Sequence, residues 1–337
     1  MQKKNPAKRR PEHLVVTLLS LLFLSTAVFA TVKYVFRAPE LDTDKPVVTP
    51  DGTASADADR TDTDEPDALG RTRRKYCYNI LVSGLDDDNG GSDTNILVRF
   101  DVPNKRIDLV SLPRDTLLHN EYRNNKLNFA YAKGGTELLM EQIENLLGIP
   151  VDFYVTVNLK GFIALVDQID GVDFDIPINM DYDDPYQDLH IHFTKGPRHL
   201  NGQEAMEVVR FRHNNDGTGY GTEDIGRIGT QQAFLKAVAK QLLQIGNVKN
   251  IPALVDIFYT YVKTDLTTGN LVWLGNEALN IGTENIHFAT LPGDGSGYYN
   301  KQSVYVLDAQ ATCDLVNEAL NPYNEALTLE DMDILVP

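Results

Sequence analysis

The feature that most restricts this chain is the stretch from Leu14 to Val32, which holds no charged residue and follows Lys3, Lys4, Lys8, Arg9 and Arg10. Leu, Val, Phe and Ala dominate it. At 1.5 Å rise per residue, about 20 apolar residues cross a hydrocarbon core of about 30 Å. A cationic flank stays on the cytoplasmic side, so everything after it is expected outside. The rival is a secretory signal cut at the small residues around Val28 and Ala30. The run is longer than an ordinary signal core, which favours a retained single-pass anchor. The expected layout is a basic cytoplasmic segment at 1–13, a transmembrane helix at 14–33, a disordered acidic tether at 34–75 and one extracytoplasmic domain at 76–337.

The tether is expected from composition. Asp57, Asp59, Asp62, Asp64, Glu65 and Asp67 fall close together among Thr and Pro, with few large apolar residues. Such a segment buries too little surface to fold. As a coil it reaches roughly 30–35 Å, and further where its charges repel. The net charge of −17 argues against nucleic acid or an anionic lipid surface as the main partner. Cys77 and Cys313 stand at opposite ends of the domain, either as a disulfide or as two buried thiols. Without a CxxC spacing, a cysteine zinc site has no support.

Within the domain, apolar runs at 78–83, 94–101 and 105–112 read as strands, with a hairpin turn at Val102-Pro103-Asn104-Lys105. Residues 135–147 have helical apolar spacing and stop at Gly148. Strands are expected at 151–158, 172–177 and 286–291. Helices are expected at 159–169, 202–210, 223–244, near 250–260, near 267–280 and from Asp308. The mixture points to a layered α/β domain, α-β-α, with a central mixed sheet.

Three segments carry charges that a purely structural role explains poorly. In Gly84-Leu85-Asp86-Asp87-Asp88-Asn89-Gly90-Gly91-Ser92-Asp93-Thr94, carboxylates at both ends of a short loop can converge on a hard cation such as Mg²⁺. Taken alone, the loop fits an acidic solvated hairpin better. Ser111-Leu112-Pro113-Arg114-Asp115-Thr116 ends a strand with a proline that stops pairing, leaving Arg114 at a strand terminus. Taken alone, that segment fits a surface Arg–Asp pair better. In Val209-Arg210-Phe211-Arg212-His213, the two arginines share no face of a regular helix and need a helix end to act together. Arg227 and Gln231, four apart, do share a face. Forked guanidinium groups suit phosphate oxygens, whereas arginines lying over apolar neighbours are the structural alternative. His190 and His192 point the same way if 189–193 is a strand, but no further His or acidic cluster follows at ligand spacing, so a metallohydrolase is not favoured. Gly293-Asp294-Gly295-Ser296-Gly297 lacks a following Lys and reads as a turn, not a phosphate loop.

In this order the segments resemble the LytR-CpsA-Psr family. The resemblance rests on Ser92-Asp93-Thr94, Pro113-Arg114-Asp115, Lys126-Leu127-Asn128 with Tyr131, Gly134-Gly135 and Asp170-Gly171-Val172. It continues through Leu200-Asn201-Gly202-Gln203-Glu204-Ala205, Val209-Arg210-Phe211-Arg212, Asp224-Ile225-Gly226-Arg227 with Gln231-Gln232, Leu291-Pro292-Gly293 and Tyr298-Tyr299. It spans about 76–320.

The resemblance implies an α-β-α phosphotransferase outside a Gram-positive-type cell membrane. Such an enzyme takes an anionic glycopolymer from a polyprenyl-pyrophosphate carrier and joins it to the 6-hydroxyl of peptidoglycan N-acetylmuramic acid through a phosphodiester. It implies Mg²⁺ on Asp86 and Asp93, with Asp87 and Asp88 as alternatives to Asp86. It implies Arg114, Arg210, Arg212 and Arg227 on the pyrophosphate with Gln231 beside them, and Lys126 is expected there too. A carboxylate near the metal, Asp93 or Asp115, is expected to accept the proton if within hydrogen-bond reach. Two departures stand out: Gly91 occupies a position where many members have arginine, and Thr230 stands where arginine is frequent before Gln-Gln. The competing expectations are a pyrophosphate hydrolase on the same site and a non-catalytic regulator that binds lipid-linked glycan.

Overall fold

The computed structural model describes residues 37–41, 47–48, 54–55, 66–67, 69–85, 90–120, 122, 124–186, 188–220, 223–244 and 257–336. The apolar run at 14–33 and the acids Asp86, Asp87 and Asp88 lie outside the described residues. Among the described residues no helix is long and apolar enough to cross a membrane.

Strands β1 (Cys77–Leu85), β2 (Ser92–Asp101) and β3 (Arg106–Leu112) form an antiparallel meander. Helix α1 (Leu127–Leu147) bends at Gly134 and Gly135, where Gly135 takes a φ of 69°. That bend lets helix begin eight residues before the expected start at 135. After it come β4 (Phe153–Asn158), α2 (Leu159–Gln168) and β5 (Val172–Ile176). The hairpin of β6 (Met180–Asp184) and β7 (Leu189–Phe193) precedes β8 (Gly196–Leu200), α3 (Gly202–Arg210) and α4 (Glu223–Gln244). The chain closes with β9 (Val262–Thr264), α5 (Thr268–Ile281), β10 (Ile286–Thr290), β11 (Gly293–Tyr299), β12 (Gln302–Leu307) and α6 (Ala309–Ala319).

The main sheet has the order β9-β4-β1-β2-β3-β10. β4 lies parallel to β1 and β10 parallel to β3, while the other pairs are antiparallel. The sheet is therefore mixed, as expected. Side chains alternate across it. Leu81, Leu97 and Val110 face α1 and α6, whereas Ile80, Phe100 and Ile107 face α5. Strands covered on both faces read as nearly continuous apolar runs, which is why β1 and β2 are visible in the sequence. On α1, Leu139, Ile143, Leu146 and Leu147 are at most 1% exposed. Each such side chain contributes about 1.5–3 kcal/mol of burial. A third cluster joins α2, α3 and α4 to the β5–β8 region around Ile191, Phe211 and Phe234.

The structure corrects several expectations. The domain begins before Tyr76. Arg71 pairs with Asp67 at 3.0 Å, Arg74 with Asp101 at 2.7 Å, and Arg73 with Asp152. Further upstream, the Tyr78 hydroxyl donates to Pro39 O at 3.0 Å, Asn270 Nδ2 donates to Arg37 O at 3.1 Å, and Leu41 packs on the α5 cluster. The tether expected over 34–75 thus loses both ends to the domain, because partners distant in sequence supply the contacts that local composition lacks. Between those ends, Val47–Val48 and Ala54–Ser55 form a two-residue antiparallel ladder. Cys77 and Cys313 are both free and buried, so no disulfide joins them. Burial also pushes the Cys77 thiol up to about 11, away from the reactive thiolate. Gly293–Gly297 is not a simple turn but the first part of β11, bulged between Asp294 and Gly297 and paired with β12.

Candidate active site

The end of β1, the start of β2 and the end of β3 meet at one end of the sheet's central strands. Ser92 is fully buried there, and the next residue, Asp93, turns outward with its side chain 34% exposed. Beyond β3, the Thr116 N–H and hydroxyl both donate to Pro113 O, at 3.0 and 2.6 Å. This tight turn projects Arg114. The start of α1 is bound to the same turn, since Asn128 N–H donates to Arg114 O at 2.9 Å and Leu127 N–H to Thr116 O at 3.0 Å. Lys126, at the N-cap of α1, is thereby held across from Asp115.

These backbone restraints assemble alternating charges. Lys126 Nζ lies 3.1 Å from Asp115 Oδ1, and Arg114 Nε lies 3.9 Å from the same oxygen. Arg114 Nη1 lies 2.5 Å from Asp93 Oδ1, and Arg212 Nη2 lies 4.0 Å from Asp93 Oδ2. Three cations face two carboxylates, a surplus of one positive charge that favours an anionic ligand. All five side chains are between 19% and 41% exposed, so a ligand can reach them.

The second wall of the site comes from α3 and α4. Arg210 is the last residue of α3, and Phe211 leaves the helical region with φ −59° and ψ 134°. The helix end that Arg210 and Arg212 need is therefore present. Phe211 is 1% exposed and its ring meets that of Tyr220 edge-on at 5.6 Å. Tyr220 in turn lies on Gly226, where a Cβ would come within 2.2 Å of the Tyr220 Cβ, so only glycine fits. The Tyr220 hydroxyl is 2.8 Å from Thr230 Oγ1. Thr230, buried at the position where the resemblance favours arginine, thus braces the loop after α3. Arg227 is 5% exposed on α4, one turn before Gln231.

Of the expected site residues, the structure brings Asp93, Arg114, Asp115, Lys126 and Arg212 together through ion pairs, and it places Arg210 on α3 and Arg227 on α4. Asp86 lies outside the described residues. Gln231, expected beside the pyrophosphate, donates through Nε2 to Val209 O at 3.1 Å and so fixes the backbone preceding Arg210. Gln232 has a role that sequence reading did not assign. Its Nε2 lies 2.7 Å from Ala289 O, 3.0 Å from Ser111 Oγ and 3.0 Å from Thr290 Oγ1. It ties α4 to the site ends of β3 and β10. A polar doublet inside an otherwise packed helix was the only signal for it.

Known proteins give the same picture. The LytR_cpsA_psr family model matches residues 47–321. The chain is 32% identical over 252 residues to the polyisoprenyl-teichoic acid–peptidoglycan teichoic acid transferase TagV of Bacillus subtilis strain 168, covering 71% of this chain and 62% of TagV. It is 31% identical over 219 residues to the regulatory protein MsrR of Staphylococcus aureus strain COL, covering 63% of this chain and 64% of MsrR. The match thus spans somewhat less than two thirds of both relatives. The crystal structure of B. subtilis TagV superposes with a TM-score of 0.63 at 27% identity, over 78% of this chain and all of that one. With the fold, the ordered motifs and the family match in agreement, the chain belongs to the LytR_cpsA_psr family.

Proposed function

We propose that this protein transfers an anionic glycopolymer from a polyprenyl-pyrophosphate carrier to the 6-hydroxyl of peptidoglycan N-acetylmuramic acid. The observation that carries the proposal is the cluster Lys126–Asp115–Arg114–Asp93–Arg212 at the ends of the central strands, in a chain that resembles TagV over most of its domain. The acceptor oxygen forms a new bond to the phosphorus that carries the glycan. The bridging P–O bond breaks, and its oxygen leaves with polyprenyl phosphate, so no nucleotide is consumed. The acceptor proton goes to a carboxylate within reach, Asp93 or Asp115. Phosphoryl transfer is mainly positioning and charge stabilisation, which the arginines supply.

Mg²⁺ fits the described half of its expected site. Asp93 offers a partly exposed carboxylate, and hard oxygen is the donor this ion prefers. Asp93, with Asp86 or a neighbouring acid, would hold it. A Mg²⁺ ion held by these residues would supply positive charge against the pyrophosphate oxygens. Arg114 and Arg212, both beside Asp93, would orient the pyrophosphate, and Lys126 holds Asp115 next to Arg114. The apolar run at 14–33 is proposed as a retained anchor. It keeps the domain outside the cell membrane and beside a donor confined to that membrane, raising the effective concentration of each for the other.

The test incubates the full chain with a labelled lipid-linked teichoic acid, peptidoglycan oligomers and Mg²⁺. Label joined to peptidoglycan, and lost with Arg114→Ala, is the expected result. Release of free phosphorylated glycan alone would make the protein a hydrolase. Recovery of bound but unchanged donor would favour the regulatory role suggested by the name of MsrR.

A further inference from the structure

The β6–β7 hairpin carries a cluster that the transfer reaction does not use. Met180, Leu189, Ile191 and Phe193 pack its inner face into the core. Strand alternation then forces Asp181, Asp183, His190 and His192 onto the outer face. The register pairs Asp183 with His190 and Asp181 with His192. Sequence spacing alone offered two histidines and no third ligand. The third comes from the opposite strand.

The hydrogen-bonding pattern is more specific than a charged patch requires. Asp183 Oδ1 is shared, lying 2.5 Å from His190 Nδ1 and 3.4 Å from His192 Nε2. The nitrogen of each ring that faces away from Asp183 has its own carboxylate. His192 Nδ1 lies 2.7 Å from Asp181 Oδ1, and His190 Nε2 lies 3.5 Å from Asp188 Oδ1. Ligating histidines are oriented in this way, with one nitrogen to the ion and the other N–H to a carboxylate. Donor atoms of Asp183, His190 and His192 all lie within 4.8 Å of one another. Tetrahedral zinc with bonds of about 2.0–2.2 Å sets its ligands about 3.4 Å apart. The Asp183–His192 separation already has that value, and the half-exposed His190 ring can rotate outward to reach it.

We propose that Asp183, His190 and His192 bind a zinc ion, with Asp181 and Asp188 orienting the two imidazoles and water completing the tetrahedron. Two imidazoles with one carboxylate suit zinc better than Mg²⁺ or Ca²⁺, which take oxygen donors. The site has a mechanical link to the arginine loop. Asn214 Oδ1 accepts from Asp181 N–H at 2.7 Å, and Asn215 Oδ1 accepts from Asp183 N–H at 2.6 Å. These asparagines stand two and three residues after Arg212, so an ion that cross-links the hairpin also stiffens the base of the segment that presents it. The proposal stands independently of the transferase reading.

The test is competition between the full chain and a zinc-responsive dye, for the wild type, His190→Ala/His192→Ala and Asp181→Asn. The expected result is one zinc taken up by the wild type and lost in the double variant. Removing the orienting carboxylate in Asp181→Asn should weaken binding by about 10-fold or more. All ligand side chains are at least half exposed, so the variants should stay folded, which circular dichroism checks. Wild-type protein that takes up no zinc, or a folded double variant that binds zinc as tightly as wild type, overturns the proposal. Hydrogen exchange at 181–183 and 213–217 gives an independent reading. It should slow with zinc in the wild type only, and unchanged exchange in zinc-bound wild type would refute the stiffening.

Discussion

Replacing Asp93 with Asn separates the chemistry of the site from its stability. Asp93 stands between Arg114 at 2.5 Å and Arg212 at 4.0 Å. At 4 Å and an effective dielectric near 20, Coulomb attraction is about 4 kcal/mol. The side chains of Arg114 and Asp93 are 24% and 34% exposed, however, and water screens such a pair to about 1 kcal/mol or less. In a domain of this size that lowers Tm by only about 2–4 °C. The rate effect is expected to be much larger. Loss of one preorganised charged group at a reacting centre costs about 10²–10³-fold in kcat. Asn keeps the shape and one acceptor oxygen but removes the charge that would hold Mg²⁺ and set the two arginines apart. Differential scanning calorimetry and the labelled transfer assay, read on the same preparation, give both quantities. Transfer within threefold of wild type would refute the placement of Asp93 in the machinery. A Tm fall of the size caused by core truncation would refute the view that its role is electrostatic and local.

Three further outcomes follow from the geometry. Gln232→Leu removes the amide that joins α4 to Ala289 O, Ser111 and Thr290, and should cost about 1–3 kcal/mol in urea unfolding while also lowering transfer. Asp108→Asn strips the partner from Arg99, which is 5% exposed and 2.7 Å away, and should cost about 3–5 kcal/mol; if the double variant Arg99→Met/Asp108→Leu is no more stable, the loss is not one of stranded charge. On the outer hairpin in zinc-free protein, hydrogen bonds to Asp183 and Asp181 raise His190 and His192 above the usual 6.5, and the bond from His190 lowers Asp183 below its usual 3.8. The raised histidines contribute stability that is present below 6.5 and lost as pH rises through their folded values. The lowered aspartate contributes stability that is present above 3.8 and lost as pH falls through its folded value. The pairing should therefore be complete between those limits, and imidazole proton shifts in NMR should titrate above pH 6.5 in wild type and return toward 6.5 in Asp183→Asn/Asp181→Asn.

Much of the fold was legible because its central strands are covered on both sides. Runs such as Tyr78-Asn79-Ile80-Leu81-Val82-Ser83 carry enough apolar surface to be recognised one by one. α3 and α4 match the expected 202–210 and 223–244, and Asn201 and Glu204 form a capping box at the first. The less legible elements are edge pieces. β6 reads Met-Asp-Tyr-Asp-Asp and β11 is rich in glycine, so neither shows strand composition, and each depends on a partner strand to define it. The same holds for the site. Motif order pointed to Asp93, Arg114, Asp115 and Arg212, yet it could not show that Lys126 pairs with Asp115 or that Gln232 rather than Gln231 reaches the sheet. Those facts depend on which strand ends become neighbours, and no spacing along the chain encodes that.

The docking of residues 37–41 changes what the acidic segment can do. Arg37 and Pro39 are bound to Asn270 and Tyr78, and Asp67 is bound to Arg71, so the domain holds the chain on both sides of the acidic segment. Residues between two such contacts add nothing to the distance between residue 37 and the domain, however many they are. The distance between residue 37 and the domain is therefore set by a small clasp, the Pro39–Tyr78 and Arg37–Asn270 contacts.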